Sequence, residues 1–449
     1  MGPTTPDSPG SALRAGTVPA NEFGGPWGAF LGLLLLQGLV YYLWICVEFY
    51  GGALQYPRSA HPAELVSVLS RLLDHVLAHA LPTWKATLIY LGWMGWQVVL
   101  ALVGPGPSAE GTLLADGRTR LVYKCNGLFA WYATLVLAAI LHATGLFPLT
   151  ELYASFGPLL TVASIFAAAL AAACCVGARG RREELASGNV VYDFFMGAIL
   201  NPRLGSFDVK FFVDLRPGIM LWFLFTVAML IRQYETHHAV TTSMALTVFY
   251  HACYVNACYK GEECVPMSID ITHERFGWML AWGNLVFVPF LFPLSAYYLL
   301  VSQADIPAVW ALVLLTLHLA GYYIFDTANS QKDHFRADRR TLRSAFPQLP
   351  WARLHDPRSL RTARGTALLL DGWWRRGRHM NYTGDLMMAW SWALTCGFGS
   401  AVPYAYPVYL TLLLLHRERR AERLNRQKYG ADWDAYCRLV PYRFIPYVY

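Results

Sequence analysis

The chain has 449 residues, of which 55% belong to the AVILMFWYC set and 14% are charged, with a mean hydropathy of +0.33. A soluble globular protein is about a quarter charged, so this balance excludes a water-soluble enzyme and points to a chain that crosses a membrane several times. The formal charge of +7 does not mark a nucleic-acid binder, because cytoplasmic loops of membrane proteins collect Lys and Arg.

Residues 1–25 are rich in Pro, Gly, Ser and Thr and lack both a charged leader and a short apolar core, so they read as a disordered tail. Pro6 stands where a myristoylation motif needs Ser or Thr. Apolar runs of the length an α-helix needs to span about 30 Å of hydrocarbon then recur. They fall at 27–49, 83–104, 128–147, 157–178, 217–233, 239–257, 277–301, 306–326, 384–398 and 401–416. The fold class is therefore all-α, a polytopic membrane protein of about ten spans, the last two forming a short helical hairpin around Gly399–Ser400.

If the spans alternate, 105–127, 179–216, 258–276, 327–383 and the tail 417–449 share one side. Residues 331–380 hold 12 Lys/Arg against 4 Asp/Glu, whereas 50–82 holds only Arg58 and Arg71. The basic side is cytosolic, and both termini lie there. Nine cysteines without a CxxC pair support neither a disulfide framework nor a zinc ribbon, and His251, Cys253, Cys258 and Cys264 lack metal-motif spacing; no metal is expected.

The loop 188–218, GNVVYDFFMGAILNPRLGSFDVKFFVDLRPG, threads Asp193, Arg203, Asp208, Lys210, Asp214 and Arg216 between apolar residues. Such charges pair with one another, fixing the loop between helices, or face a polar cavity. Arg216-Pro217-Gly218 starts the next helix with Pro near its first position.

With NSQKDHFR (329–336), GWWRRGRHMNYTGDL (372–386) and the run from KYG (428) to the last PYVY, this loop resembles the signature of the sterol reductase family. That family takes in sterol C-14 reductases, 7-dehydrocholesterol reductases and the membrane domain of the lamin B receptor. The resemblance covers the chain from about residue 30 onward.

Lys332 and Arg336, four apart, share one face of a helix leaving the membrane after 306–326. Two cations so placed suit a 2′-phosphate, and hence NADPH over NADH. No GxGxxG follows a strand, so a Rossmann domain is not the cradle. The resemblance implies instead a cytosol-facing C-terminal pocket for NADPH. It is built from Lys332, Arg336, Leu369, Trp374, Arg378, His379, Asn381, Tyr382, Arg417, Asn425, Arg426, Gln427, Lys428, Tyr429 and Tyr436. Trp374 and Tyr382 offer flat faces to an adenine or nicotinamide ring, and Asn381 offers amide hydrogen bonds. Taken alone, Trp374 reads equally as an interface aromatic. Residues 26–326 would then enclose the sterol, and 327–449 would bind the cofactor.

Reducing an isolated ring alkene needs a proton as well as a hydride, so an acid must face the sterol. The candidates between two spans are Tyr250, Tyr254, Asp270, His273 and Glu274. The family's proton-donating tyrosine maps onto Tyr254 and the aspartate of its next motif onto Asp270, although Asp270 and His273 equally suit a helix cap. The chain departs from the family at Ala421, Ala257 and Asn284, where relatives carry Asp, and at Phe292, where they carry Tyr. LGSFDVKFF, NSQK and the final PYVY favour reduction at C-14; GYYIF and HERFGW resemble the C-7 enzymes. A non-catalytic sterol-binding or nuclear-envelope scaffold is the reading from another class, but residues 1–25 hold one Arg where the receptor carries a basic region. The resemblance implies an endoplasmic reticulum membrane, sterol and membrane lipid as partners, and no nucleic acid.

Overall fold

The computed structural model describes residues 22–113, 120–180, 185–336 and 349–449. The tail predicted over 1–25 lies outside these residues as far as residue 21. At its end, Glu22–Gly24 already form a 3-10 turn leading into α1 (Gly25–Tyr50), which stops at Gly51 in the left-handed conformation (φ 59°).

All ten predicted segments are helical. After α1 come α2 (Pro62–His79), α3 (Trp84–Val103), α4 (Gly127–Ala143), α5 (Phe156–Ala178), α6 (Pro217–His237) and α7 (Thr242–Lys260). The rest are α8 (Trp278–Ser302, interrupted), α9 (Ala308–Arg336), α10 (Met380–Leu394), α11 (Ala405–Tyr429) and α12 (Ala431–Leu439). Six stretches among the described residues are long and apolar enough to cross a bilayer: Glu22–Tyr50, Trp84–Val103, Phe156–Ala178, Val209–His237, Trp278–Ser302 and Ala308–Arg336. Of the ten expected spans, six have that length and hydropathy. Of the other four, α4 and α10 are 17 and 15 residues long, α7 carries polar residues along its 19, and α11 turns strongly basic after its apolar first half.

Two features were not expected from the sequence. Among the described residues, three two-stranded antiparallel ribbons depart from the all-α class, pairing Ser108–Leu113 with Arg120–Lys124, Arg203–Leu204 with Phe207–Asp208, and Ser359–Arg361 with Ala367–Leu369. The loop 50–82 contains α2, whose exposed Leu65, Leu69, Leu73 and Leu77 recur every four residues and form one apolar stripe. Its polar residues between those leucines hide it from a search for continuous apolar runs.

The centre of the bundle is α6 and α8, where Trp222, Phe225, Phe290 and Tyr297 are fully buried together with Phe156 of α5. Inside α8, residues Gly283–Phe287 form a π-turn. Pro289 has no N–H to return to the Leu285 carbonyl, so the ladder slips by one residue there. The widened turn presses the Asn284 carbonyl against α6, where a Cβ on Gly218 would come within 1.7 Å of that oxygen.

A second glycine contact sets the geometry of the C-terminal third. Gly321 of α9 faces Gly384 of α10, and a Cβ on Gly384 would stand 2.6 Å from the Gly321 carbonyl oxygen and 2.6 Å from the Phe325 nitrogen. Small residues let the two backbones touch, which replaces hydrophobic drive with dispersion in a lipid environment. The polar ends of α9 and α10 are thereby locked to each other.

Of the charges of 188–218, one pair forms within the loop and the others find partners elsewhere or on the backbone. Arg203 meets Asp208 at 2.9 Å, and Arg216 meets Glu262 at 2.8 Å with both side chains at most 3% exposed. The Asp193 carboxylate accepts from the Ser187 and Gly188 N–H groups. Lys210 points all three of its N–H bonds at the carbonyls of Asp270 (2.8 Å), Ile271 (2.8 Å) and Glu274 (2.9 Å). Pro217 opens α6, as predicted.

Candidate functional site

Helix α9 runs without a break to Arg336, so Lys332 and Arg336 occupy its last turns on one face, with Arg336 exposed at the end. The Lys332 ammonium sits 4.5 Å from the centre of the Trp374 ring. The indole is held by its own N–H, which donates to the Ala328 carbonyl at 2.9 Å, and by Trp373, whose backbone N–H donates to the Gln331 side chain at 2.9 Å. The turn Gly372–Arg375 therefore docks on α9 through side chains one turn apart, and this fixes a cation over an aromatic face. Asn381 joins the same face: its amide N–H donates to the Asn329 side chain at 3.1 Å, while its own oxygen is buried without a partner.

His379 stacks on Tyr382 at 4.8 Å and 14°, and its Nε2 is also buried without a partner. Burial, reinforced by Lys332, Arg378 and Arg443, lowers its pKa to about 3, so the ring is neutral at physiological pH. Arg378 is occupied elsewhere. Its guanidinium donates to the carbonyls of Val440 (2.7 Å) and Pro441 (3.1 Å) and lies 3.6 Å from Glu422. The backbone continues this strap, with Arg378 N–H on the Tyr442 carbonyl and His379 N–H on the Arg443 carbonyl. Arg378 thus fastens the chain end over the site. Leu369 ends its ribbon strand buried, and Tyr436 is buried against Trp433 at 5.2 Å. The stretch Asn425–Tyr429 ends α11: Arg426 pairs with Asp434 at 3.1 Å, Lys428 lies over Tyr429 at 5.1 Å, Asn425 is half-buried and Gln427 exposed.

The proposed acids separate into two groups. Asp270 pairs with Arg417 at 2.7 Å, and Glu274 pairs with Arg420, which also reaches Glu22 at 3.3 Å. With Lys210 holding their backbone, these two carboxylates brace the loop 258–276 against α11. His273 is exposed and hydrogen-bonded to Thr272 Oγ1 at 2.7 Å; partial burial and Arg420 lower its pKa, which disfavours a proton there at neutral pH. Tyr254 stands apart in the bundle, its ring 5.2 Å from Trp392 and 5.8 Å from Trp222. Asp385 and Tyr406 are among its polar neighbours. Asp385 was not singled out from the sequence, although a lone carboxylate inside the apolar run 384–398 is the signal that marks it.

Three of the four positions that depart from the family pattern sit among defined neighbours. Asn284 donates to Asp214 at 2.5 Å, and Phe292 packs on Tyr406 at 4.1 Å. Ala421 adds no carboxylate between Glu418, which is bound to Arg443 at 2.9 Å, and Glu422, which accepts from Trp433 at 2.9 Å.

These features define a helical membrane protein whose basic C-terminal third gathers cations and flat rings, with the partly buried Tyr254 inside the bundle. Residues 18–449 match the model of the ergosterol biosynthesis ERG4/ERG24 family, and the chain belongs to that family. It is 42% identical over 429 residues, 95% of each chain, to a protein of Methylotuvimicrobium alcaliphilum named Delta(14)-sterol reductase. A Dictyostelium discoideum protein of the same name is 39% identical over 95% of this chain and 92% of its own. A Delta(24(24(1)))-sterol reductase of Aspergillus fumigatus, erg4A, is 37% identical over 95% and 92%.

Proposed function

We propose that this chain is an NADPH-dependent sterol reductase that saturates the C14–C15 double bond of a sterol intermediate, working in the endoplasmic reticulum membrane with both termini cytosolic. The observation that carries this reading is near full-length similarity to proteins named Delta(14)-sterol reductase, in a chain that stacks Lys332 on Trp374 beside Asn381.

The residues present fit the cofactor. The Asn381 oxygen and His379 Nε2 are buried polar atoms without a partner, and a polar ligand would satisfy them. Lys332 and Arg336 would hold a phosphate, with Trp374 and Tyr382 against the rings. Reduced nicotinamide, when bound, supplies hydride. The protein's own part is to deliver the proton. Tyr254 donates to the alkene so that positive charge develops at the tertiary C-14, and the surrounding Trp222 and Trp392 faces stabilise a cation there while excluding water.

Incubating the purified protein with NADPH and either a Δ8,14-, a Δ5,7- or a Δ24(24(1))-sterol, and following the lost unsaturation by mass spectrometry, tests the reading. Product from the Δ8,14-sterol alone is expected. Conversion of only another substrate overturns the C-14 assignment, and no conversion of any overturns the enzymatic one.

A further inference from the structure

A polar seam runs between α7 and α10. Thr247, His251, Tyr254 and Cys258 line one face of α7, and Asp385 and Trp392 face them from α10. The deep end is closed by Thr247 Oγ1 on Thr395 Oγ1 at 3.0 Å, and the His251 ring lies 4.8 Å from Trp392. At the other end stands Asp385, beside Tyr254 and Cys258.

This seam carries polar atoms that nothing in the protein satisfies. Asp385 Oδ1, His251 Nε2, Trp222 Nε1 and Trp392 Nε1 are all buried without a hydrogen-bond partner. Their residues are between 0% and 8% exposed. So many orphans in a packed interior mark a place that water or a ligand occupies during function. Asp385 makes no ion pair among the described residues, unlike Asp270, Glu262 and Glu274. A carboxyl in such a place is cheaper to bury with its proton than without it.

Building on the function proposed above, we propose that Asp385 returns the proton to Tyr254 after each turnover. The Tyr254 O–H bond breaks as a C–H bond forms at C-15, and the cation left at C-14 takes hydride from reduced nicotinamide, which is oxidised. The Asp385 O–H then gives its proton to the tyrosinate oxygen. The resulting carboxylate takes a proton from solvent, reached past Arg417, which neighbours Asp385 and is 40% exposed. One solvent proton is consumed per alkene, so the balance closes. Asp385 acts through Tyr254 and does not touch the sterol. No carboxylate is available at Ala421, and Glu418 and Glu422 are both engaged elsewhere.

The test is rapid-quench kinetics of the full chain in nanodiscs, loaded with NADPH and a Δ8,14-sterol. D385N should form its first equivalent of product within about threefold of the wild-type rate, then fall to a steady state about 100-fold slower with the KM for sterol unchanged. D385E should restore most of the steady state. A D385N steady state within about threefold of wild type overturns the inference, as does equal loss of first and later turnovers that D385E does not restore. Should D385N fail to assemble, Asp385→Ser takes its place: an intact first turnover with slowed later ones supports the relay, and equal slowing of both overturns it. A wild-type chain that converts no sterol overturns the function it rests on, and the relay with it.

Discussion

Replacing Gly384 by alanine places a methyl group 2.6 Å from both the Gly321 carbonyl oxygen and the Phe325 nitrogen, where ordinary contact begins near 3.4 Å. Both obstacles are backbone atoms of α9, so no side chain can swing aside, and α10 must retreat by roughly 0.8 Å, the difference between those contact distances. Overpacking of this kind costs about 1–3 kcal/mol. The functional cost is larger. Retreat of α10 carries Asn381, Tyr382 and Asp385 away from Asn329, Lys332 and Tyr254, and a misplacement approaching 1 Å is worth about 100-fold in rate. The assay is kcat for Δ8,14-sterol reduction together with the thermal midpoint in nanodiscs, with Gly92→Ala as control, since a Cβ there meets nothing within 4 Å. Wild-type kcat and melting for Gly384→Ala would refute the close helix contact and the positioning argument built on it.

Lys332→Ala combined with Arg336→Ala should raise KM for NADPH far more than for NADH; an equal rise for both would remove these cations from the 2′-phosphate. Glu262→Ala strands Arg216, whose Nε and one terminal nitrogen already lack partners, and it removes the acceptor of the Gly127 N–H. It should cost about 3–5 kcal/mol by chemical denaturation, against less than about 1 kcal/mol for Lys85→Ala at the exposed Lys85–Glu151 pair. His379 titrates near pH 3 when folded and near 6.5 when unfolded, so the unfolded chain takes up the proton first on acidification. Its stabilising contribution is complete above about pH 6.5 and shrinks as pH falls from there towards 3, by about 2 kcal/mol at pH 5. His379→Phe should therefore flatten the loss of stability between pH 7 and 5 relative to wild type, and an unchanged slope would contradict a neutral buried imidazole.

The helical bundle was legible because lipid demands long apolar runs, and every such run became a helix. Length and hydropathy single out six of them as long and apolar enough to cross, while α4 and α10 are helical but shorter. Helix α2 escaped notice because its leucines alternate with polar residues over a four-residue period. At the candidate site, the spacing of Lys332 and Arg336 sufficed to put both on one helix face, and the motif around Trp374 brought that ring beside them. What could not be read was which charges are already spent. Arg378 looks like a phosphate ligand in RRGRH, yet three-dimensional pairing gives its guanidinium to Val440, Pro441 and Glu422. Asp270 and Glu274 look like acids facing a substrate, yet Arg417 and Arg420 lie more than 140 positions away in the chain and claim them. Such long-range partners leave no trace in local spacing.

The strap that binds Arg378 and His379 to residues 440–443 has a bearing on biogenesis. Translation delivers that segment after every helix of the bundle, so the cradle between α9 and the chain end cannot close while the earlier spans are being inserted. Nascent protein would therefore leave the insertion machinery with the face around His379 still open. Maturation of activity should lag behind membrane integration rather than accompany it.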